Sequence, residues 1–337
     1  MTPKVRIILS DSLDPWLNLA TEEWIFQEIG DCDHILFLWR NRETVVIGRS
    51  QNPWAECHLQ KMQQDNVYLA RRQSGGGAVF HDLGNTNFTF LSKKMLYQRD
   101  TNFNIILCAL NQLGIIATMS GRNDIVVDQV RKISGSAFKE KVDRAFHHGT
   151  LLLQADLNKL QNYLNPNKKK LAAKGVKSAK ARVANLCEFQ PTISHEKLCE
   201  AIIAEFIATH NVTDPQIEYL QASQLEKLPN LSYYYQRMQD WDWLYGQTLE
   251  FTHQFDERLS WATVNVQLLV NHGIIQDVRV YSDSLFPELI DSLARRLKGS
   301  VYTTDSLIQA LVPVYTEFPQ LTTEVTEFQQ WLIREIN

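Results

Sequence analysis

The sequence contains no apolar run approaching the roughly 18 residues that span a bilayer, so no membrane helix organises this chain. Its first ten residues carry Lys4 and Arg6 but neither a long apolar stretch nor a small-residue cleavage site. That start does not read as a signal peptide and predicts a cytoplasmic protein. Cysteine is scarce and scattered: Cys32, Cys57, Cys108, Cys187 and Cys199 are odd in number and form no Cys-x-x-Cys pair. Neither a disulfide framework nor a structural zinc site is indicated. Also missing are the Walker loop, the Gly-x-Gly-x-x-Gly fingerprint of dinucleotide folds and the Gly-x-Ser-x-Gly elbow of serine hydrolases. Repeats and low-complexity tracts are lacking too, and a length of 337 residues suggests about two domains.

What the chain does have is Arg71-Arg72-Gln73-Ser74-Gly75-Gly76-Gly77-Ala78-Val79-Phe80-His81-Asp82. Three consecutive glycines lower the packing value of a segment, so they mark a backbone that bends sharply or lies against a ligand. Successive amides in such a turn form an anion-binding nest, and arginine forks suit phosphate or carboxylate. A tight hairpin flanked by solvated arginines is the competing reading.

Periodicity predicts a helix from Asp14-Pro15 to about Gly30, then short strands at Ile35 to Trp39 and Thr44 to Gly48 joined as a hairpin by Arg40-Asn41-Arg42. A short helix follows Pro53, a strand at Val67 to Ala70 enters the glycine loop, and a second hairpin is expected around Asp82-Leu83-Gly84-Asn85. Phe103 to Leu113 and the segment behind Ser194 read as amphipathic helices, with strands between Ile115 and Leu153. Strands crowded into the first 155 residues with few helices argue for an α+β fold with a mainly antiparallel sheet flanked by helices. The remaining chain reads as a small α+β C-terminal domain with strands at Val264 to Val270 and Ile274 to Tyr281, then three helices. The expected division is 1–246, a linker at 247–252, and 253–337.

Charge is uneven. From Gly246 onward there are 12 acidic and 6 basic residues, whereas Leu157 to Cys187 carries eight bases and no acid. That basic stretch includes Lys168, Lys169, Lys170, Lys174, Lys177, Lys180 and Arg182, and it attracts anions. It lacks the aromatic platforms that stack bases, which disfavours nucleic acid. Lys132 opens an apparent strand among small residues and could reach a ligand oxygen from a rigid element, or face water at a sheet edge. Asp124 suits either magnesium or an Asx turn. His147 and His148 lack a third ligand at metal spacing and read as structural or supporting.

Together these segments resemble the lipoate-protein ligases of the biotin/lipoate protein ligase family. The resemblance runs nearly end to end, through Asn18-Leu19-Ala20-Thr21-Glu22-Glu23, Thr44 to Arg49, the Arg71 to Thr86 loop, Gly121-Arg122-Asn123-Asp124, Lys132 to Ala137, His147 to Leu151 and the lysine-rich segment. It implies the catalytic fold of biotin ligases and class II synthetases, with a small accessory domain. It implies a reaction in which ATP converts lipoate to lipoyl-AMP, after which the acyl group passes to a lysine on E2 subunits of 2-oxoacid dehydrogenases and on glycine cleavage H protein. The matching positions are Arg72, Gly77, Ala78, Val79, Phe80 and Lys132 for ATP, and Lys132, Ser74, Gly75, Gly76 and His148 for lipoate. Lys174, Gly175, Val176, Lys177 and Lys180 match the adenylate loop, Lys132 is the catalytic group, and Asp124 is the candidate for Mg2+. Lys139 stands where the family pattern leads one to expect arginine. A monomer with no nucleic-acid or membrane partner is expected. The alternative is an ATP-independent octanoyl or lipoyl transferase acting through a cysteine thioester, against which no cysteine adjoins the glycine loop, Lys132 or His148 in sequence.

Overall fold

The Asp14 carboxylate accepts hydrogen bonds from the amides of Trp16 and Leu17 at 2.9 and 3.2 Å, and Pro15 occupies the first turn, where no amide is needed. The helix that follows, Pro15–Gln27, is buried along nearly its whole length because it lies under a large sheet. The computed structural model describes residues 4–28, 30, 32–164, 183–224, 227–245 and 252–336.

Among the described residues the strands are β1 (Val5–Ser10), β2 (His34–Trp39), β3 (Thr44–Ile47), β4 (Tyr68–Arg71), β5 (Val79–His81), β6 (Asn85–Lys93), β7 (Ala117–Ser120), β8 (Asp124–Val127), β9 (Arg131–Glu140), β10 (Arg144–Leu152), β11 (Ile217–Leu220), β12 (His253–Arg258), β13 (Thr263–Asn271) and β14 (Ile274–Ser282). The main sheet has the order β11-β1-β2-β6-β10-β9-β8-β7 and is antiparallel except where β1 pairs with β2 and β11. A smaller sheet, β4-β3-β5, stands beside it. The mixed α+β class with a mainly antiparallel sheet is therefore as expected.

Both expected hairpins are corrected. β2 pairs with β6 in the main sheet while β3 pairs with β4 and β5 in the small one, so Arg40-Asn41-Arg42 turns a corner between sheets. The corner is fixed by the buried Asn41, whose Oδ1 accepts from Asn18 Nδ2 at 2.9 Å. Likewise β5 and β6 part at Asp82 to join different sheets. Turn chemistry marks where a chain bends but not which partner it meets.

Side-chain alternation along β10 sorts its residues. Phe146 joins the core beneath the Pro15–Gln27 helix, whereas His147 points to the opposite face, where Arg99–Gln112 and His195–Thr209 pack. There His147 is ringed by Phe88, Phe90, Phe103 and Phe138.

Residues from Leu259 to Leu332 enclose a core of their own, in which β12-β13-β14 packs on the helices Pro287–Leu297, Thr304–Glu317 and Thr322–Ile336. This unit leans on the glycine loop: Gly76 N–H donates to Ser284 O at 2.7 Å, and Arg49 pairs with Glu288 and Asp291. A division at 247–252 remains a proposal, since 247–251 lie outside the described residues.

The three loop glycines have different causes. A Cβ on Gly75 would strike the Ser284 carbonyl, Gly76 has φ +91°, and Gly77 is open. A Cβ on Gly48 would strike the carbonyl of Gly76, which is backbone and cannot swing away. Gly48→Ala is therefore expected to cost about 2 kcal/mol and to lower the thermal midpoint by several degrees. An unchanged midpoint would show that the two segments part freely.

Burial lowers the His81 pKa from 6.5 to about 3 and drives that of His147 well below its usual value. Because the unfolded chain binds these protons first, their contribution is complete above pH 6.5 and is lost as the pH falls from there towards 3. Urea unfolding at pH about 7.5 and about 5 should show lower stability at the acid value, by about 1 kcal/mol per pH unit for each fully buried histidine. Equal midpoints would contradict the burial of both rings.

Candidate active site

A cavity of about 490 Å3 opens between the main sheet, the glycine loop and the C-terminal unit. Its floor is a row of residues taken from four neighbouring strands. Trp39 on β2 faces Asn87 on β6, Asn87 faces Thr150 on β10, and the Thr150 Oγ1 accepts from the Gly135 amide on β9 at 3.3 Å. Lys132 arches over the last of these, so that a Cβ on Gly135 would lie 2.9 Å from its Nζ. The ammonium pairs with Asp124 at 2.8 Å. The cavity thus has a charged end at Lys132 and Asp124 and an apolar end near Trp39, Leu19 and Val46.

Arg72 lines this cavity but is 7% exposed, and its donors are turned to the protein. Nη2 donates to Gly75 O at 2.6 Å and Gly77 O at 2.8 Å, Nη1 to Val46 O at 3.1 Å, and Nε to Ser74 Oγ at 3.1 Å. Arg71, read in the sequence as added charge for an anion, instead donates to the carbonyls of Gly48, Arg49, Gln51, Trp243 and Leu244. Both guanidinium groups therefore fold the loop, and burial lowers their pKa values to about 10, which leaves them cationic at neutral pH.

From Ser74 a directed chain of hydrogen bonds runs beneath the site. Its hydroxyl accepts a hydrogen bond from Arg72 Nε and donates one to His148 Nε2 at 2.7 Å; His148 Nδ1–H donates to Glu22 Oε2 at 2.8 Å. Glu22 also accepts from Thr89, and Thr89 from the Trp39 indole at 3.1 Å. The proton positions follow from the two ends of the chain, since arginine only donates and a carboxylate accepts. His148, Gly76, Gly77, Ala78, Val79 and Phe80 line the cavity with Lys132 and Asp124; Ser74 is fully buried and meets it through His148.

The adenylate-loop positions Lys174, Gly175, Val176, Lys177 and Lys180 lie outside the described residues. Leu164 and Val183, which bracket them, line the cavity, and Val183 bridges to Lys132. Lys139, where arginine was expected, is a buried ammonium held by Glu23 and Gln73 at 3.2 Å each, stacked 4.9 Å over Phe26. None of the five cysteines lines the cavity, and burial pushes Cys57 and Cys199 up to about 12. This gives the thioester alternative no nucleophile at the described site.

Sequence reasoning missed Trp39, His81, Asn87 and Thr150, which come together only through strand register. It also missed Arg258, Trp261, Asp283 and Leu285, which the C-terminal unit contributes to the wall. For the last group the acidic composition of the C-terminal stretch singled out no residue.

Residues 14–207 match the model for the lipoyl protein ligase A/B catalytic domain, and residues 248–332 match that for the bacterial lipoate protein ligase C-terminus. A lipoate-protein ligase A from Psychrobacter cryohalolentis is 51% identical over 99% of both chains. The crystal structure of P. falciparum LipL1 in complex with lipoate superposes with a TM-score of 0.86 at 33% identity, covering 98% of this chain and 100% of that one. A bipartite lipoate protein ligase from Thermoplasma acidophilum, solved in a study of that ligase and its E2 lipoyl domain, gives 0.63 at 25% identity, covering 74% of this chain and 100% of its own. This chain belongs to the lipoyl protein ligase A/B family.

Proposed function

We propose that this protein is an ATP-dependent lipoate-protein ligase. A carboxylate oxygen of lipoate attacks the α-phosphorus of ATP, pyrophosphate leaves, and lipoyl-AMP forms. The ε-amine of an acceptor lysine then attacks the acyl carbon, AMP departs, and an amide remains. The observation that carries this reading is a single cavity lined by a strand-borne ammonium, the glycine loop and the apolar side chains of Leu19, Trp39 and Val46.

Each residue answers a physical need of that reaction. Two anions must approach one another, and Lys132, which exchanges Asp124 for substrate oxygens, lowers their repulsion in a site shielded from water. The Gly77 to Phe80 backbone cradles the nucleotide while Arg72 keeps its carbonyls turned inward, exposing the opposite edge of the loop to ATP. Gly76 and His148 border lipoate, Ser74 acts on it only through His148, Gly75 does not line the cavity, and the Glu22 carboxylate fixes the His148 tautomer. Mg2+ fits a donor set of Asp124 and phosphate oxygens, since this ion needs only one or two carboxylates beside phosphates. It would supply charge neutralisation there. The lysines of the 168–182 segment are assigned to the adenylate phosphate, which supports retention of the intermediate.

The acceptors are lipoyl domains of 2-oxoacid dehydrogenase E2 subunits and the glycine cleavage H protein, a reading that the E2 lipoyl domain of the Thermoplasma study supports. We assign the protein to the cytoplasm as a monomer; no described helix is long and apolar enough to cross a membrane.

Lipoate-dependent exchange of pyrophosphate into ATP is the direct assay, and Lys132→Ala is expected to reduce it about a thousandfold with the thermal midpoint unchanged. Near-normal exchange would remove Lys132 from its role. Alanine in place of Lys174, Lys177 and Lys180 together should raise the lipoyl-AMP lost to water per acceptor modified, measured by product ratio; an unaltered ratio would count against that assignment.

A further inference from the structure

Two polar groups at the apolar end of the cavity have no use in the reaction described. His81 is 3% exposed and lines the cavity, and its Nε2 has no partner among the described residues. Its protonation is fixed from behind. Asn18 Nδ2 faces the carbonyls of Ser12 and Arg40 at 3.0 Å each and Asn41 Oδ1 at 2.9 Å. Asn41 must therefore present Nδ2 to His81 Nδ1, 3.2 Å away, so Nδ1 accepts and the ring proton sits on Nε2. Asn87, 2% exposed, accepts from Asn85 Nδ2 at 2.9 Å through Oδ1, and its own Nδ2 has no partner among the described residues.

Such groups are costly to leave unpaired, because a buried donor without an acceptor has given up its hydrogen bond to water. Their position along the cavity indicates what would satisfy them. Neighbouring strands lie about 4.8 Å apart, so Asn87 stands about 10 Å from Gly135 beneath Lys132. An acid of eight carbons with its carboxylate at Lys132 therefore brings its sixth to eighth carbons to Asn87. His81 stands at the same end, with its ring centroid 6.1 Å from that of Trp39.

We propose that His81 and Asn87 form a donor seat for the ring sulfurs of lipoate, and that this seat makes the chain favour a dithiolane tail over an alkyl tail of equal length. The proposal rests on the ligase reading and deepens it. Thioether-like sulfur is a weak acceptor, but octanoate offers none, and a site built with donors rejects the ligand that leaves them bare.

The test compares kcat/KM for pyrophosphate exchange with lipoate and with 5-cyclopentylpentanoate, its carbocyclic twin, on the native chain. Lipoate is expected to be favoured about tenfold, whereas equal values overturn the proposal. In Asn87→Leu and His81→Phe the ratio of lipoate to octanoate should fall several-fold, with octanoate gaining while lipoate loses. A parallel change for both acids, which a packing defect would produce, overturns it. If a variant does not fold, the comparison of ring analogues on the native chain decides alone. Absence of exchange with every acid would overturn the ligase reading and this seat with it, whereas exchange that ignores the ring sulfurs removes only the seat.

Discussion

The buried guanidinium of Arg72 is the interaction on which the site depends. A charge taken out of water is costly unless its hydrogen-bonding capacity is met, and here carbonyls of the glycine loop meet it. The exchange is mutual, because three glycines supply no side chains and could not hold one conformation by packing. Arg72 thereby turns a flexible sequence into a rigid edge, and through Ser74 it connects that edge to His148, Glu22 and finally Trp39 at the other end of the cavity. One network thus reaches both the nucleotide side and the acyl side.

Much of this was legible in the sequence for reasons that are local. The Asp14-Pro15 helix start and the strands at Val264 to Val270 and Ile274 to Tyr281 follow from capping and alternation, and all are present. The glycine loop and Lys132 were conspicuous because unusual residues sit at unusual density. What escaped was everything decided by pairing between distant segments. Arg40-Asn41-Arg42 looks like a hairpin turn, yet Thr44 finds Tyr68 and His81 while Trp39 finds Asn87. The same blindness hid the floor of the cavity, since no spacing in the chain relates Trp39, Asn87, Thr150 and Gly135.

Charge shows the same limit. Arg71 and Arg72 were readable as cations but not as cations whose forks point inward, because only the fold supplies the carbonyls they meet. Lys139 is instructive in the opposite sense. Its surroundings of Glu23, Gln73 and the Phe26 ring accommodate one compact ammonium in a nearly dry site, and burial drives its pKa below the usual lysine value. The C-terminal unit adds its own wall to the cavity through Trp261 and Leu285, so the acidic domain contributes apolar surface at the point where it matters most.

The parallel pairing of β1 with β11 has a consequence for biogenesis. Arg6 and Glu218, 212 positions apart, are joined by an ion pair on this seam, where Ile7 aligns with Ile217. A ribosome delivers the first strand long before its outer neighbour exists, so the nascent sheet waits with one margin bare until about two thirds of the polypeptide has emerged. Closure of so distant a loop is slow, and until then that margin is where a chaperone would bind or aggregation would begin.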